Sequence, residues 1–362
     1  MIKYKSRIAP ILAVVFLSAA SLVSIFSGLP NAGPFFILFF IALGIHFRLS
    51  PGLRGYAYSV MIFGAVTTAL YYPQYFLEYK GYKLSLLIIP LIQLIMFGMG
   101  TAMSVKDFIS VVKTPKAVFI GIVAQFIIMP LLGFALANIS GFESEIAAGI
   151  ILIGCSPSGL ASNVMNYLAK ANLALSITIT SLTTLLAPLL TPLLMKFFAG
   201  AFIEIDMVKM MWDISKMVII PIGAGLIFNK VLRGRIRWLD NAMPLVSMFG
   251  IAIIIVIITA AGRDSLLKIG VLLIALMIIH NLAGYSLGYW FARLFKLNIK
   301  DSRTVAIEVG MQNAGLASGI AKELGKIATL GLAAAVFGPM MNITGSLLAS
   351  YWSRRPTTEK TA

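Results

Sequence analysis

The sequence of 362 residues is 59% hydrophobic and only 12% charged, and its mean hydropathy is +0.95. A soluble domain carries about 25% charged residues, so this chain has too few to cover a water-facing surface and indicates a polytopic membrane protein. The net charge of +16 does not indicate a nucleic-acid-binding protein, because the basic residues are spread over short connectors. The single cysteine, Cys155, excludes an intrachain disulfide.

Twelve apolar segments are long enough, or nearly so, to cross a membrane as α-helices. The shortest, residues 34–49, would barely cross a hydrocarbon core of about 30 Å at ~1.5 Å per residue. We predict it as a span, because a re-entrant segment would invert every later connector and reverse the charge bias given below. In chain order the predicted spans cover residues 8–29, 34–49, 56–76, 84–105, 115–137, 145–169, 172–198, 208–230, 243–261, 266–295, 302–323 and 327–352.

Two of these spans are interrupted at corresponding places. The tetrapeptide Gly-Leu-Ala-Ser occurs at residues 159–162 and again, 156 residues later, at 315–318. Each copy follows a break, Ser-Pro-Ser-Gly at 156–159 and Gly-Met-Gln-Asn-Ala-Gly at 310–315. Paired Gly/Pro interruptions in the two halves of an apolar chain point to the binding site of a secondary transporter. Irregular backbone at membrane depth persists only where it is buried or lines a wet cavity.

The breaks also predict the domain organisation. The last ten spans divide into two sets of five, and each break falls in the fourth helix of its set. An odd number of spans per set gives the two copies opposite orientations, so we predict an all-α polytopic membrane protein with inverted five-helix repeats. Two extra N-terminal helices occupy residues 1–54, the first repeat 55–200, the inverted second repeat 201–353, and a cytoplasmic tail 354–362.

The basic residues orient the predicted spans. With twelve spans and the N-terminus in the cytoplasm, 20 of the 29 Lys and Arg residues fall on the cytoplasmic side. Because cytoplasmic loops carry an excess of Lys and Arg, this arrangement is favoured over its inverse. We therefore predict a multi-pass protein of the cytoplasmic (inner) membrane with both termini in the cytoplasm.

The most informative single residue is Glu308, near the middle of a predicted span and directly before the second break. A carboxylate at that depth costs at least ~2.5 kcal/mol and needs a partner. Lysines of the connectors lie too far along the helix, so a bound cation or a proton is expected to neutralise it. The alternative is a protonated glutamate in a structural hydrogen bond.

Oxygen-bearing side chains accompany Glu308 on either side of the first break. Hard neutral oxygens with one carboxylate are ligands that an alkali cation prefers. Serine and threonine in membrane helices also bond back to their own helix or join two helices, which is the structural alternative. The candidates are Ser162, Asn163 and Asn166 after the break, and a helical stripe of Ser176, Thr180, Thr183 and Thr184.

The sequence lacks the residue sets that other kinds of site require. No Cys/His cluster suggests a transition metal, and the two histidines, His46 and His280, are isolated in the sequence. We interpret His280, beside Asn281, as an interhelical hydrogen-bonding residue. The sequence has no Ser/His/Asp set, phosphate-binding glycine loop or paired acids. We therefore expect that the protein is not an enzyme and binds no cofactor.

At these motifs the sequence resembles the bile acid:sodium symporter family, over roughly residues 56–352. The pair Gly-x-x-Ser-Asn and Glu-Val-Gly-x-Gln-Asn, at matching places in two repeats, is highly specific, whereas either motif alone is weak. The matching segments are FGMG at 97–100, QFIIMP at 125–130, GLASNVM at 159–165, ALS at 174–176, PLLTP at 188–192, EVGMQN at 308–313 and NITG at 342–345.

The resemblance implies ten helices in a panel domain and a core domain, with the two broken helices crossing in the core, and it implies two sodium ions. Every side chain of the family's sodium pattern is present. By that pattern the first sodium is held by Ser162, Asn163, Ser176, Thr180 and Glu308. The second is held by Gln125, Glu308 and Gln312 with the carbonyls of Val309 and Met311.

The resemblance also places a substrate cavity at the breaks, where the candidate residues are Gly159, Leu160, Asn313 and Asn342. Leu160 stands where close relatives often carry Thr, and Met341 where a His can occur. Both positions face the cavity in family members, so the substrate does not carry over. The two N-terminal helices lie outside the ten-helix pattern.

We therefore predict a sodium-coupled symporter that imports a small organic anion, a monocarboxylate or a bile-acid-like compound, by alternating access. Its expected partners are this anion, Na⁺ and the lipid bilayer, without nucleic acid. A proton-coupled organic anion transporter is the nearest alternative, but it leaves Ser176 and Thr180 without a role. A non-transporting membrane sensor is the alternative from another class.

Overall fold

The computed structural model describes residues 2–50, 53, 56–103, 115–232 and 237–355. This part of the chain is helical except for short turns, the two breaks and a small hairpin of β1 (Glu78–Tyr79) and β2 (Tyr82–Lys83). The main helices are α1 (Ile2–Ser27), α2 (Gly33–Leu49), α3 (Ala57–Tyr71), α4 (Ile88–Ala102), α5 (Pro115–Ser140), α6 (Ser144–Cys155), α7 (Ala161–Leu168), α8 (Leu173–Ala199), α9 (Met207–Leu232), α10 (Arg237–Ala261), α11 (Arg263–Leu294), α12 (Ile299–Gly310), α13 (Ala314–Glu323) and α14 (Leu332–Ser353).

Each predicted span coincides with a helix, and the sixth and eleventh are each two helices separated by the predicted break. Among the described residues, eight helices are long and apolar enough to cross a membrane. The halves of the two broken spans, α3 and the apolar part of α10 (residues 245–261) are each too short to meet that measure. The polytopic helical class is therefore confirmed, whereas the count of twelve and the inverted relation of the two sets stay predictions. The end of the fourth predicted span and most of the tail 354–362 lie outside the described residues.

The two breaks satisfy each other's backbone groups. After α6 the chain becomes extended at Ser156, and after α12 it becomes extended at Met311. The Gly159 N–H donates to the Met311 carbonyl at 2.8 Å, and the Asn313 N–H donates to the Pro157 carbonyl at 2.8 Å. This antiparallel bridge removes unpaired polar groups from membrane depth, which is the condition for a broken helix there.

Contacts divide the twelve helices α3–α14 into two groups. The helices α3, α4, α9 and α10 pack on one another, and α5–α8 pack with α11–α14. The resemblance predicts such a division into a panel and a core, and we use these two names below. Both breaks lie in the core.

The N-terminal pair sits beside this body, with α1 packed along α2 and α2 packed on α3. The buried face of α1 is formed by Ala9, Ala13 and Ala20. Ser21 of the same helix is exposed and donates to the Leu17 carbonyl. Small residues let these two helices approach closely.

Candidate cation site at the crossing of the broken helices

The Glu308 carboxylate lies wholly buried in the last turn of α12. Its Oε1 accepts hydrogen bonds from Ser162 Oγ at 2.6 Å and Ser176 Oγ at 2.6 Å, and its Oε2 accepts one from Thr180 Oγ1 at 2.7 Å. The ion pairs found among the described residues are elsewhere and do not include it. A carboxylate at this depth is therefore surrounded by neutral oxygens and has no basic counter-charge.

Three helices bring this cluster together. Ser162 lies in the first turn of α7, immediately after the first break, while Ser176 and Thr180 are one turn apart on the same face of α8. Asn163 completes the group, because its Oδ1 lies 2.7 Å from Ser176 Oγ and 3.3 Å from Thr180 Oγ1. All five residues predicted for the first sodium are therefore neighbours in space.

The oxygens of this cluster outnumber the hydrogens available to them. Ser176 Oγ approaches both Glu308 Oε1 at 2.6 Å and Asn163 Oδ1 at 2.7 Å, yet the hydroxyl has a single hydrogen. One of these two short oxygen–oxygen approaches therefore lacks a proton and is repulsive unless a cation lies nearby or the Glu308 carboxyl is protonated. The donor set of a carboxylate, hydroxyls and an amide oxygen fits Na⁺, a hard cation. No group of three or more His, Cys, Asp or Glu occurs in the part of the chain described, as a transition-metal centre would require.

The residues predicted for the second sodium form an adjoining chain of amides. Gln125 Nε2 donates to Gln312 Oε1 at 2.7 Å and to the Ser156 carbonyl at 2.9 Å, and Gln312 Nε2 donates to the Val309 carbonyl at 2.6 Å. The Met311 carbonyl accepts the Gly159 N–H within the bridge between the breaks. These groups are neighbours, but hydrogen bonds already occupy their oxygens.

The four residues predicted for the substrate cavity are distributed around the crossing. A Cβ at Gly159 would lie 2.5 Å from the Gln312 carbonyl oxygen, so only glycine permits this approach of the two breaks. Asn313 caps α13 by accepting the Leu316 N–H at 3.0 Å. Leu160 precedes α7 and is half-buried, and Asn342 is half-buried with its Nδ2 bonded to the Gly338 carbonyl of its own helix.

Part of the predicted polar stripe on α8 is structural. Thr183 and Thr184 donate to the carbonyls of Ile179 and Thr180 in their own helix, at 2.9 and 2.7 Å. They do not contact Glu308, so for them the structural alternative holds.

Several residues that support the site were not predicted from the sequence. Ser158 donates to the Glu308 carbonyl at 3.0 Å and thereby joins the first break to α12. Asn281 donates to the Gly310 carbonyl at 2.8 Å and accepts from Thr344 Oγ1, so it caps the end of α12. A buried asparagine in an apolar helix is itself a signal of such a role. His280 makes the predicted interhelical hydrogen bond, with its Nε2 3.0 Å from the Met129 carbonyl.

A cavity of about 830 Å³ lies between core and panel, at the end of the body where α6 and α9 begin and α8 and α13 end. Its core wall includes Glu145, Ile320 and Lys326, and its panel wall includes Asp213 and Met217. Lys326 and Thr329 both bind Glu145, which ties the start of α6 to the segment after α13.

Comparison with known proteins identifies the family of the chain. The model of the sodium bile acid symporter family matches residues 89–269. The chain belongs to this family. It is 41% identical to the uncharacterized sodium-dependent transporter YocS of Bacillus subtilis over 263 residues, which are 72% of this chain and 81% of that protein.

Plant relatives extend the comparison. The chain is 32% identical to the probable sodium/metabolite cotransporter BASS1 of rice over 266 residues, 73% of this chain and 65% of that protein. It is 30% identical to the Arabidopsis thaliana protein of the same name over 259 residues, 72% of this chain and 65% of that protein. The chain thus spans just under two thirds of the plant proteins, and it is a multi-pass membrane protein of a sodium-dependent transporter family.

Proposed function

We propose that the protein is a sodium-coupled symporter that imports a small organic anion by alternating access. The observation that carries this proposal is the buried Glu308 carboxylate, held at the crossing of two broken helices by hydroxyl and amide groups and without a basic partner. The names of the relatives, a sodium-dependent transporter and sodium/metabolite cotransporters, support the choice of coupling ion.

Sodium explains more of the site than a proton does. A proton would need only the Glu308 carboxylate, whereas the converging Asn163, Ser176 and Thr180 oxygens add ligands that a proton does not require. The second ion would use Gln125, Glu308, Gln312 and the carbonyls of Val309 and Met311. The present bonds that join Gln125, Gln312 and the Val309 carbonyl would open to admit it. The only metal ion in the proposal is cargo, so the protein needs no cofactor, and the family membership favours transport over enzymatic activity.

An anionic substrate is consistent with the helix ends at the crossing. The helices α7 and α13 both begin there, and helix N-termini carry partial positive charge that favours anions. We place the substrate beside Gly159, Leu160, Asn313 and Asn342, and we favour a monocarboxylate or a bile-acid-like compound.

The energetics allow strong accumulation of such a substrate. If two sodium ions accompany one monoanion, one net positive charge enters per cycle, which supplies ~2.3 kcal/mol at a membrane potential of 100 mV. A tenfold sodium gradient adds ~1.4 kcal/mol per ion. The total of ~5 kcal/mol supports an inward concentration ratio of several thousandfold.

The charge bias favours a cytoplasmic-membrane protein with both termini in the cytoplasm. In that orientation the cavity between core and panel opens outward, because the connectors on its rim, 199–206 and 324–329, are the predicted external ones. It would give the ions and the anion access from outside.

The deciding experiment uses the purified full chain. Thermal unfolding is followed against a panel of carboxylates in sodium chloride and in choline chloride, and the best ligand is then tested for uptake into proteoliposomes with an inward sodium gradient. We expect stabilisation by sodium, further stabilisation by the anion only in sodium, and uptake that follows the sodium gradient. Uptake driven equally by a pH gradient alone would favour proton coupling, and anion binding independent of sodium without uptake would favour a sensor.

A further inference from the structure

Asn166 is a buried residue of the crossing that the predicted sodium sites do not include. It lies on α7 one turn after Ser162, so the two side chains share one face of the helix. Its Nδ2 donates to Glu308 Oε1 at 3.2 Å and to Ser176 Oγ at 2.9 Å. Both amide hydrogens are thus used inside the cluster.

Asn166 differs chemically from the other groups that hold the Glu308 carboxylate. Those donors, Ser162, Ser176 and Thr180, are hydroxyls, and a hydroxyl oxygen can also turn a lone pair to a cation. An amide nitrogen can only donate. Among the described residues, Asn166 is therefore the one nitrogen donor to this carboxylate, and its hydrogen bond does not have to change when a cation arrives.

The backbone of Asn166 is fixed as firmly as its amide nitrogen. Its carbonyl accepts the Ala171 N–H at 3.0 Å and the Tyr167 carbonyl accepts the Lys170 N–H at 3.1 Å, while Lys170 has a φ of +54°. These features form a Schellman cap that ends α7. The donor is consequently held by a closed helix end and not by a mobile loop.

The amide oxygen of Asn166 points independently to a ligand at the site. It is buried and has no hydrogen-bond partner among the described residues, although the residue is wholly inaccessible to solvent. A buried acceptor without a donor is unfavourable unless a cation or an ordered water satisfies it. The side chain is directed into the cluster by its two donated bonds, so this oxygen lies at the margin of the cation site.

We propose that Asn166 positions Glu308 and Ser176 for the cation and so sets the affinity and ion selectivity of the site. This inference rests on the proposed sodium coupling and adds a residue to it. A carboxylate held in one orientation by a permanent donor presents a cavity of fixed size, and cavity size and ligand rigidity govern selection among hard cations. A loosened carboxylate would bind sodium less tightly and would distinguish it less from lithium.

The test is sodium-dependent thermal stabilisation of the purified full chain, with choline replacing sodium. Asn166→Leu keeps the branched shape of the side chain without the amide, and Asn166→Ala provides a second, smaller variant should the larger leucine prevent folding. We expect either change to raise the half-effective sodium concentration about tenfold and to bring the half-effective lithium and sodium concentrations closer together. Asn138→Leu is the matched control, since Asn138 is exposed on α5 and bonds only to the Phe134 carbonyl of its own helix.

The outcomes separate the two proposals. If the Asn166 variants have the same half-effective sodium concentration and the same lithium-to-sodium ratio as the unaltered protein, the role of Asn166 is overturned and sodium coupling stands. If the unaltered protein itself shows no sodium-specific stabilisation, sodium coupling fails and the inference fails with it. If a variant unfolds at a lower temperature in choline while its half-effective sodium concentration is unchanged, the result reports a loss of packing only. That result also overturns the role of Asn166.

Discussion

The two copies of Gly-Leu-Ala-Ser begin the second halves of the two broken helices, yet their serines have opposite roles. Ser162 Oγ donates to Glu308 Oε1 at 2.6 Å, across the crossing. Ser318 Oγ donates to the Ala314 carbonyl at 2.7 Å, within its own helix. The same four residues at the same place in each half therefore contact the buried carboxylate in one copy and only their own helix in the other.

The positions around the two copies explain the difference. The residue 156 positions before Glu308 is Leu152, which is wholly buried in apolar contacts, and the residue 156 positions after Asn163 is Gly319. A Cβ at Gly319 would lie 2.5 Å from Ile92 Cδ1, so this position serves close packing of core on panel. The repeat supplies a scaffold, and divergence between the halves places the charge and its ligands on one side of the crossing.

The most severe way to break this asymmetry is Glu308→Gln, which keeps size and hydrogen bonding but removes the charge. We expect loss of sodium-dependent stabilisation and sodium-driven uptake with normal membrane insertion, because a neutral amide is cheaper in the membrane than a carboxylate. Glu145→Gln is the control in the same core; it loses the ion pair with Lys326 and should lower the unfolding temperature while keeping the sodium response. Unchanged sodium dependence in Glu308→Gln would refute the site.

Alanine in place of Gly159 or Gly315, the first residues of the two Gly-Leu-Ala-Ser copies, tests the close approach of the two breaks. In Gly159→Ala the new Cβ would meet the Gln312 carbonyl oxygen at 2.5 Å, whereas in Gly315→Ala the nearest atom is Asn313 Oδ1 at 3.5 Å, an ordinary contact. We expect Gly159→Ala to cost ~1–3 kcal/mol of stability by overpacking and to weaken sodium binding, because both ion groups flank this bridge. Gly315→Ala should be neutral or slightly stabilising, since alanine is the better helix former. Equal melting temperatures for the two variants would contradict the geometry.

The two serines give a smaller and more specific comparison. Ser162→Ala removes a hydrogen bond to a charged group, worth about 1.5–3 kcal/mol, and should raise the half-effective sodium concentration about tenfold or more. Ser318→Ala removes only a bond within its own helix and should change that concentration by less than about twofold. Sodium titration of thermal stability measures both, and a comparable shift in the two variants would show that the asymmetry has no functional meaning.

Removing the N-terminal pair should have the smallest effect on sodium. A chain that starts near Arg48 loses two spans together, so it keeps the predicted cytoplasmic N-terminus, and it loses no residue that contacts Glu308. Stability or oligomeric state should suffer, because α2 covers α3; Phe40, for example, packs against Gly64. Sodium binding abolished in a folded, correctly inserted truncation would make α1 and α2 part of the transport machinery.

Hydropathy alone was sufficient to predict the helical segments, since a membrane forces backbone hydrogen bonds to be made within each segment. The Gly/Pro breaks and the buried acid then indicated where the site lies. The family motif added Gln125, which no local pattern could link to Gln312 across 187 residues.

Side-chain direction at the breaks was the part that the sequence could not supply. The periodicity of α8 placed Thr183 and Thr184 with Ser176 and Thr180, although the structure turns the first two onto their own helix. Ser158 and Asn281 gained their roles only from the pairing of the two breaks and the packing of α11. Such contacts depend on tertiary geometry, which helical spacing does not encode.

Cys155 is the last residue of α6, wholly buried beside the first break, and the sequence contains no other cysteine. The native chain is therefore already suited to thiol labelling, since its own sulfur is shielded from water-soluble maleimides while the core is closed. A cysteine placed at an exposed connector site such as Tyr82, in the hairpin, would carry a probe in a chain whose one native thiol is buried. Modification of Cys155 itself would record the moments when the crossing comes apart, and its rate with and without sodium would show whether the ion holds the two broken helices together.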